Sequence, residues 1–135
     1  MSDVFVLDAS VALSWCFEDE ASEFADGILD SLKTNTALVP SVLFQLEICN
    51  GLLVAERRQR LSELQVREWK SQFEKLAIIA IAVPLAEVFE LARRHQRSSY
   101  DGAYLTLAKR QNVPLATLDG GMRQAAKEAG VALLT

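Results

Sequence analysis

The chain has only two cysteines and one histidine, Cys16, Cys49 and His95. So few soft ligands give neither a zinc-ligand spacing nor a disulfide framework, and Cys16 and Cys49, both within apolar helical patterns, read as reduced core residues. Proline and glycine are scarce too, at three and six, and no Pro/Gly/Ser tract is long enough to separate two domains. Half of the residues are hydrophobic, yet no apolar run approaches the ~20 residues of a membrane span. The start Met1-Ser2-Asp3 lacks the basic flank and cleavage site of a secretory leader, which points to a cytoplasmic protein. Basic residues are in deficit, fourteen against eighteen acids, for a net charge of −4. That balance argues against a protein that coats nucleic acid through a basic surface. It leaves room for an enzyme whose acids gather around a cation.

At 135 residues the chain is one domain of ordinary size, able to bury roughly two-thirds of its unfolded surface. Strand-like and helical patterns alternate along it, which implies a parallel α/β sheet of four to five short strands flanked by helices on both faces. The strands are expected near Val4 to Leu7, Ala37 to Val39, Ile78 to Ala82, Leu115 to Thr117 and Ala132 to Leu134. Ser41 after Pro40 opens a helical stripe that should run to about Arg58, with Glu47 and Asn50 on one face. Ser62 with Gln65 has capping-box spacing, Pro84 opens another helix, and Ser98 with Asp101 repeats the capping-box spacing before Ala103, Tyr104 and Leu107.

Four acids stand where apolar structure passes into the next element or interrupts it: Asp8, Glu47, Asp101 and Asp119. Asp8 and Asp119 each follow a short apolar run, and in a parallel sheet the C-terminal edge of the strands is where ligands bind. Three have plain structural readings. Asp8 fits a helix cap, Asp101 a capping box and Asp119 a tight turn before Gly120-Gly121. Glu47, between Leu46 and Ile48, has no capping role, and a solvated helical face is the alternative. If all four met in one pocket they would repel: two like charges ~4 Å apart oppose each other by roughly 4 kcal/mol at an effective dielectric near 20. Such a cluster requires a cation, protonation or a basic partner. Oxygen ligands without His or Cys favour Mg²⁺ or Mn²⁺ over zinc.

Leu7-Asp8-Ala9-Ser10, Pro40 followed by Glu47 and Asn50, Tyr100-Asp101-Gly102-Ala103-Tyr104-Leu105, and Thr117-Leu118-Asp119 resemble, in order and spacing, the motifs of PIN-domain ribonucleases. The small VapC-type toxins of toxin–antitoxin pairs are the most similar group, and the resemblance covers nearly the whole chain. It implies a PIN-like fold and a Mg²⁺- or Mn²⁺-dependent endoribonuclease with Asp8, Glu47, Asp101 and Asp119 as its acidic site. Asp8, Asp101 and Asp119 would hold the metal. Ser10 and Thr117 would be hydroxyl neighbours and Asn50 a partner of Glu47. The resemblance further implies RNA as substrate, a VapB-like antitoxin that brings Arg or Lys to the acids, and a homodimer. Two departures stand out. Gly102 replaces a more usual Ala, a change expected to loosen the helix start, and Met122-Arg123 occupies a stretch where some members add another acid.

Most of the basic residues, including Arg57, Arg58, Lys109 and Arg110, end helical patterns, as the helix dipole favours. Arg93, Arg94 and Arg97 precede Asp101 closely enough to line the approach of an RNA backbone. His95 among them reads as a solvated histidine without a role. Other classes fit less well. A receiver-like signalling domain would pair Asp8 with a second acid, a phosphatase would place an Asp where Ser10 stands, and a silent binding module would use the acids only as caps.

Overall fold

A computed structural model describes residues 3–135; the expectation about a leader at Met1 and Ser2 lies outside the described residues. In chain order these are β1 (Val4–Leu7), α1 (Ala9–Ser14), a 3-10 turn (Glu18–Glu20), α2 (Glu23–Ser31), β2 (Thr36–Pro40), α3 (Leu43–Arg57), α4 (Glu63–Lys75), β3 (Ile78–Ile81), α5 (Leu85–Arg94), α6 (Ser99–Gln111), β4 (Leu115–Ala116) and α7 (Gly120–Ala129). The four strands form one parallel sheet in the order β3-β2-β1-β4. Val6 pairs with Leu38 on one side and with Leu115 on the other, so β1 is central. A central parallel strand is covered on both faces, which is why β1 is a continuous apolar run rather than an alternating one. Phe5, Val6 and Leu7 are buried accordingly.

The strand order has a consequence for function. From β1 the chain steps to β2 and then β3, then returns past both to β4. Right-handed crossovers therefore send α1–α4 to one face and α5–α6 to the other. The crevice where the winding reverses lies between β1 and β4, at their C-terminal ends. Asp8 directly follows β1, and Thr117 to Asp119 directly follow β4.

Helix α6 forms the other wall of this crevice. Every residue from Gly102 to Ala108 is buried, and a helix that is apolar all round is one enclosed on several sides. Gly102 is needed for close packing rather than being a loosening substitution. A Cβ there would lie 2.9 Å from the Val88 carbonyl oxygen and 3.0 Å from the Ala92 Cβ. The glycine lets α5 and α6 approach one another.

Several expectations are corrected. The fifth strand at Ala132 to Leu134 is reduced to a single bridge, Leu115 with Leu133, because β4 is only two residues long and offers little edge to pair with. Ser41 does not open α3; its amide donates to the Ile81 carbonyl at 2.9 Å and extends the β2–β3 ladder, so the helix begins at Leu43. Cys16 is buried and free as expected, and burial pushes its thiol up to about 12. Cys49 is free but exposed, since α3 carries more apolar residues than its inner face holds. No helix among the described residues is long and apolar enough to cross a membrane.

Candidate active site

Asp8 occupies the N-cap position of α1, but its side chain forms no capping hydrogen bond. The carboxylate is held instead by two hydroxyls. Ser10 Oγ donates to its Oδ2 at 2.7 Å and Thr117 Oγ1 donates to the same oxygen at 2.6 Å. The hydroxyls are fixed in turn by the β4–α7 turn. The Leu118 amide donates to Ser10 Oγ at 3.1 Å and the Asp119 amide to Thr117 Oγ1 at 3.1 Å. Asp8 is 7% exposed and Thr117 fully enclosed, so one oxygen is pinned by residues from both sides of the crevice.

Burial raises the Asp8 pKa above its ordinary value; the Thr117 and Ser10 hydroxyls pull it back, and the charge of Asp101 pushes it up further. Glu47 projects from α3 toward the same place. Its Oε1 accepts from the Tyr104 hydroxyl of α6 at 2.7 Å. Burial raises its pKa as well, opposed by the Tyr104 hydrogen bond and assisted by the charges of Asp8 and Asp101. Asp8, Glu47 and Asp101 are therefore within electrostatic reach of one another, and Glu47 does not lie on a solvated face.

Asp101 is in the first turn of α6. Its amide donates to the Ser98 hydroxyl at 3.1 Å, but its carboxylate turns to Arg97, so only half of the expected capping box forms. Arg97 donates from Nε and Nη2 to Asp101 Oδ2 at 3.0 and 2.7 Å, and from Nη2 to Asp119 Oδ2 at 3.3 Å. Asp119 does cap α7, accepting from the Met122 amide at 2.7 Å. It reaches the other acids through Arg97. Arg123, in the second departing position, donates to the Thr117 carbonyl at 2.9 Å.

With the side chains in this arrangement, no group of three Asp, Glu, His or Cys residues among the described residues is gathered as a metal site. The donors present nevertheless suit a hard divalent cation. They are carboxylates and hydroxyls without nitrogen or sulfur, and at Asp8 and Glu47 desolvation and like charge make ionisation costly, which a bound cation would relieve.

The model of the PIN domain matches residues 5–128 of the chain. This protein belongs to the PIN domain family. Solved structures with the same fold include PAE2754 from Pyrobaculum aerophilum, with a TM-score of 0.65 and 19% identity over 93% of this chain and 87% of that one. FitAcB from Neisseria gonorrhoeae gives 0.67 and 20% over 97% and 96%. FitAB bound to the IR36 DNA fragment gives 0.59 and 21% over 96% and 93%. At such identities the likeness concerns the fold. No curated protein matches the chain.

Within this PIN domain, some residues singled out from the sequence stand apart from the acids. Asn50 is exposed and makes no hydrogen bond to Glu47 among the described residues. Arg93 and Arg94 are exposed at the end of α5. The His95 side chain is 8% exposed, with Nδ1 3.7 Å from Glu128, so it is not a solvated histidine. Two residues at the site escaped the sequence reading. Tyr104 read as a packing residue, and only the facing of Glu47 and a tyrosine on a buried helix would have signalled the hydrogen bond. Arg97 read as an RNA contact; it lies between α5 and α6, outside both helices, so its ion pair with Asp101 had no helical-spacing signal.

Proposed function

We propose that this PIN domain is a divalent-cation-dependent endoribonuclease and the toxin of a toxin–antitoxin pair. PIN domains are generally nucleases. The observation that carries the reading is the buried Asp8, placed at the winding reversal, its pKa raised by burial and by the charge of Asp101, with Glu47 close enough for the Asp8 charge to raise its own. A purely structural cap would not be built at such electrostatic cost. Asp8, Asp101 and Asp119 would hold Mg²⁺ or Mn²⁺, which when bound acidifies water and neutralises charge on phosphate oxygens.

The remaining chemistry belongs to the chain. Ser10 and Thr117 pin one Asp8 oxygen and leave the other without a hydrogen-bond partner among the side chains. Tyr104 fixes the orientation of Glu47, and burial strengthens the affinity of this carboxylate for a proton, which suits it to orient water and take its proton. In-line attack on phosphorus then needs no protein nucleophile and leaves a 5′-phosphate and a 3′-hydroxyl. Arg93 and Arg94, exposed at the end of α5, would contact the RNA backbone away from the acids in this reading.

An antitoxin partner and a homodimer belong to the same reading. FitAB, similar in fold, is bound to a DNA fragment in its structure, which supports an assembly larger than one chain. Leu85 and Phe89, one turn apart on α5, are 81% and 62% exposed, the kind of apolar surface that a second chain covers. Light scattering that finds only monomer would remove the dimer. An adjacently encoded protein that neither binds nor inhibits would leave a stand-alone nuclease.

The central test is cleavage of a labelled RNA with Mn²⁺, with EDTA, and by Asp8→Asn. We expect cleavage that depends on Mn²⁺ and falls by at least about a hundredfold in the variant, a loss of the size seen when a charge-stabilising group is removed from a catalytic site. Undiminished cleavage by a folded Asp8→Asn protein would refute the assignment.

A further inference from the structure

We propose that Arg97 is a built-in counter-cation that closes the acidic site and leaves it when a divalent cation enters. The inference rests on the cation-site reading above. The backbone prepares this position. Just past the end of α5, Gln96 is in the left-handed region at φ 54°, the Gln96 amide donates to the Arg93 carbonyl at 3.3 Å, and the Arg97 amide donates to the Ala92 carbonyl at 2.9 Å. This is the closing pattern that satisfies the last carbonyls of a helix. Ser98 then caps α6, so Arg97 is held between two helix ends with Asp101 four residues on.

The guanidinium engages Oδ2 of both Asp101 and Asp119, at 2.7 and 3.3 Å from Nη2. It also lies over the first turn of α7. A Cβ on Gly121 would stand 2.5 Å from Nη1 and 2.9 Å from Nη2, whereas one on Gly120 would meet nothing within 4 Å. Of the two adjacent glycines, only Gly121 makes room for the guanidinium. A helix N-terminus carries partial positive charge and disfavours a cation, so the two carboxylates must hold Arg97 there. The oxygens it occupies are among those that would ligate a divalent cation. Two positive groups cannot share them at low cost, so loading the site requires the guanidinium to move.

If the open arrangement is a minor fraction of the metal-free protein, apparent cation affinity is reduced by that fraction. Removing the guanidinium, or its resting place, should restore it. Mn²⁺ titrations by calorimetry, with circular dichroism to verify folding, would compare the wild type with Arg97→Ala, Gly121→Ala, Gly120→Ala and Arg93→Ala. We expect Mn²⁺ to bind roughly tenfold more tightly to Arg97→Ala and severalfold more tightly to Gly121→Ala, which changes no charge. Gly120→Ala and Arg93→Ala should stay within about twofold of wild type, as controls for helix propensity and net charge. Wild-type binding that Arg97→Ala and Gly121→Ala leave unaltered, or that Arg93→Ala tightens as much as Arg97→Ala does, overturns the exchange and leaves the cation site standing. Absence of Mn²⁺ binding in every variant overturns both.

Discussion

Replacing Thr117 by valine isolates one hydroxyl at the center of the site. Thr117 is fully buried, valine has nearly the same shape, and both are β-branched, so the backbone preference of the β4 end is retained. The change removes the 2.6 Å donor to Asp8 Oδ2 and the 3.1 Å acceptor for the Asp119 amide. A hydrogen bond to a charged group contributes about 1.5–3 kcal/mol, and the partly buried amide, which water can reach, adds up to about 1 kcal/mol. The expected loss near neutral pH is therefore about 2–4 kcal/mol, or roughly 6–12 °C in melting temperature for a domain of this size. The Thr117 hydroxyl lowers the Asp8 pKa against the larger effect of burial, so its removal raises that pKa further. A carboxyl whose folded pKa is raised favours folding when protonated and opposes it as pH rises through that pKa. Urea unfolding should thus show a smaller deficit at pH 4 than at pH 7.5. Thr117→Ser, which keeps the hydroxyl and loses a methyl, should cost about 1 kcal/mol with no such pH trend. A Thr117→Val deficit below about 0.5 kcal/mol at pH 7.5, or equal at both pH values, would refute the argument that this hydroxyl carries part of the Asp8 charge.

Tyr104→Phe removes the hydrogen bond that lowers the Glu47 pKa, so if Glu47 must be ionised for cleavage, the acid limb of the pH–activity profile should move to higher pH; an unmoved limb would count against that role. Asp8 and Glu47 both have raised pKa values, so their contribution to stability in metal-free protein is present below their ordinary values and is lost as pH rises through the folded ones. Melting curves without metal should show Asp8→Asn gaining on wild type as pH rises from about 4 toward neutrality. A gap that stays constant across that range would mean the Asp8 carboxylate is not under strain.

Much of the architecture was legible because periodicity and punctuation both pointed to it. The apolar run Val4 to Leu7 and the later alternation of elements implied a parallel sheet, and the capping pair Ser62 with Gln65 forms reciprocally. Boundaries failed where tertiary pairing overrode local signals, as at Ser41, recruited into the ladder, and at Ala132 to Leu134, which found almost no partner strand. The acids were legible as positions but not as partners. Asp8 and Asp119 have the same residue type at similar helix starts, yet the Asp119 side chain caps its helix while that of Asp8 forms no capping hydrogen bond. What separates them is the presence of Ser10 and Thr117, and Thr117 is 109 residues away from Asp8. No local pattern encodes a hydroxyl delivered by a neighbouring strand.

The unequal fates of these two aspartates follow from the sheet order. β1 is central and β4 is at the edge of the sheet, so a side chain leaving β1 enters the interior while one leaving the turn after β4 remains half in water. The Asp119 carboxylate, 52% exposed, can cap a helix and hold Arg97 at little desolvation cost. Asp8 has no such freedom. Its charge is kept where ionisation is opposed by burial and by Asp101, with two hydroxyls as partial compensation. Groups held in this condition are the ones whose electrostatic environment an entering cation changes most. The gradient of burial from Asp8 to Asp119 therefore sets the two ends of the site apart: a rigid, desolvated anchor at β1 and a solvent-facing arm at α7 where Arg97 can be exchanged.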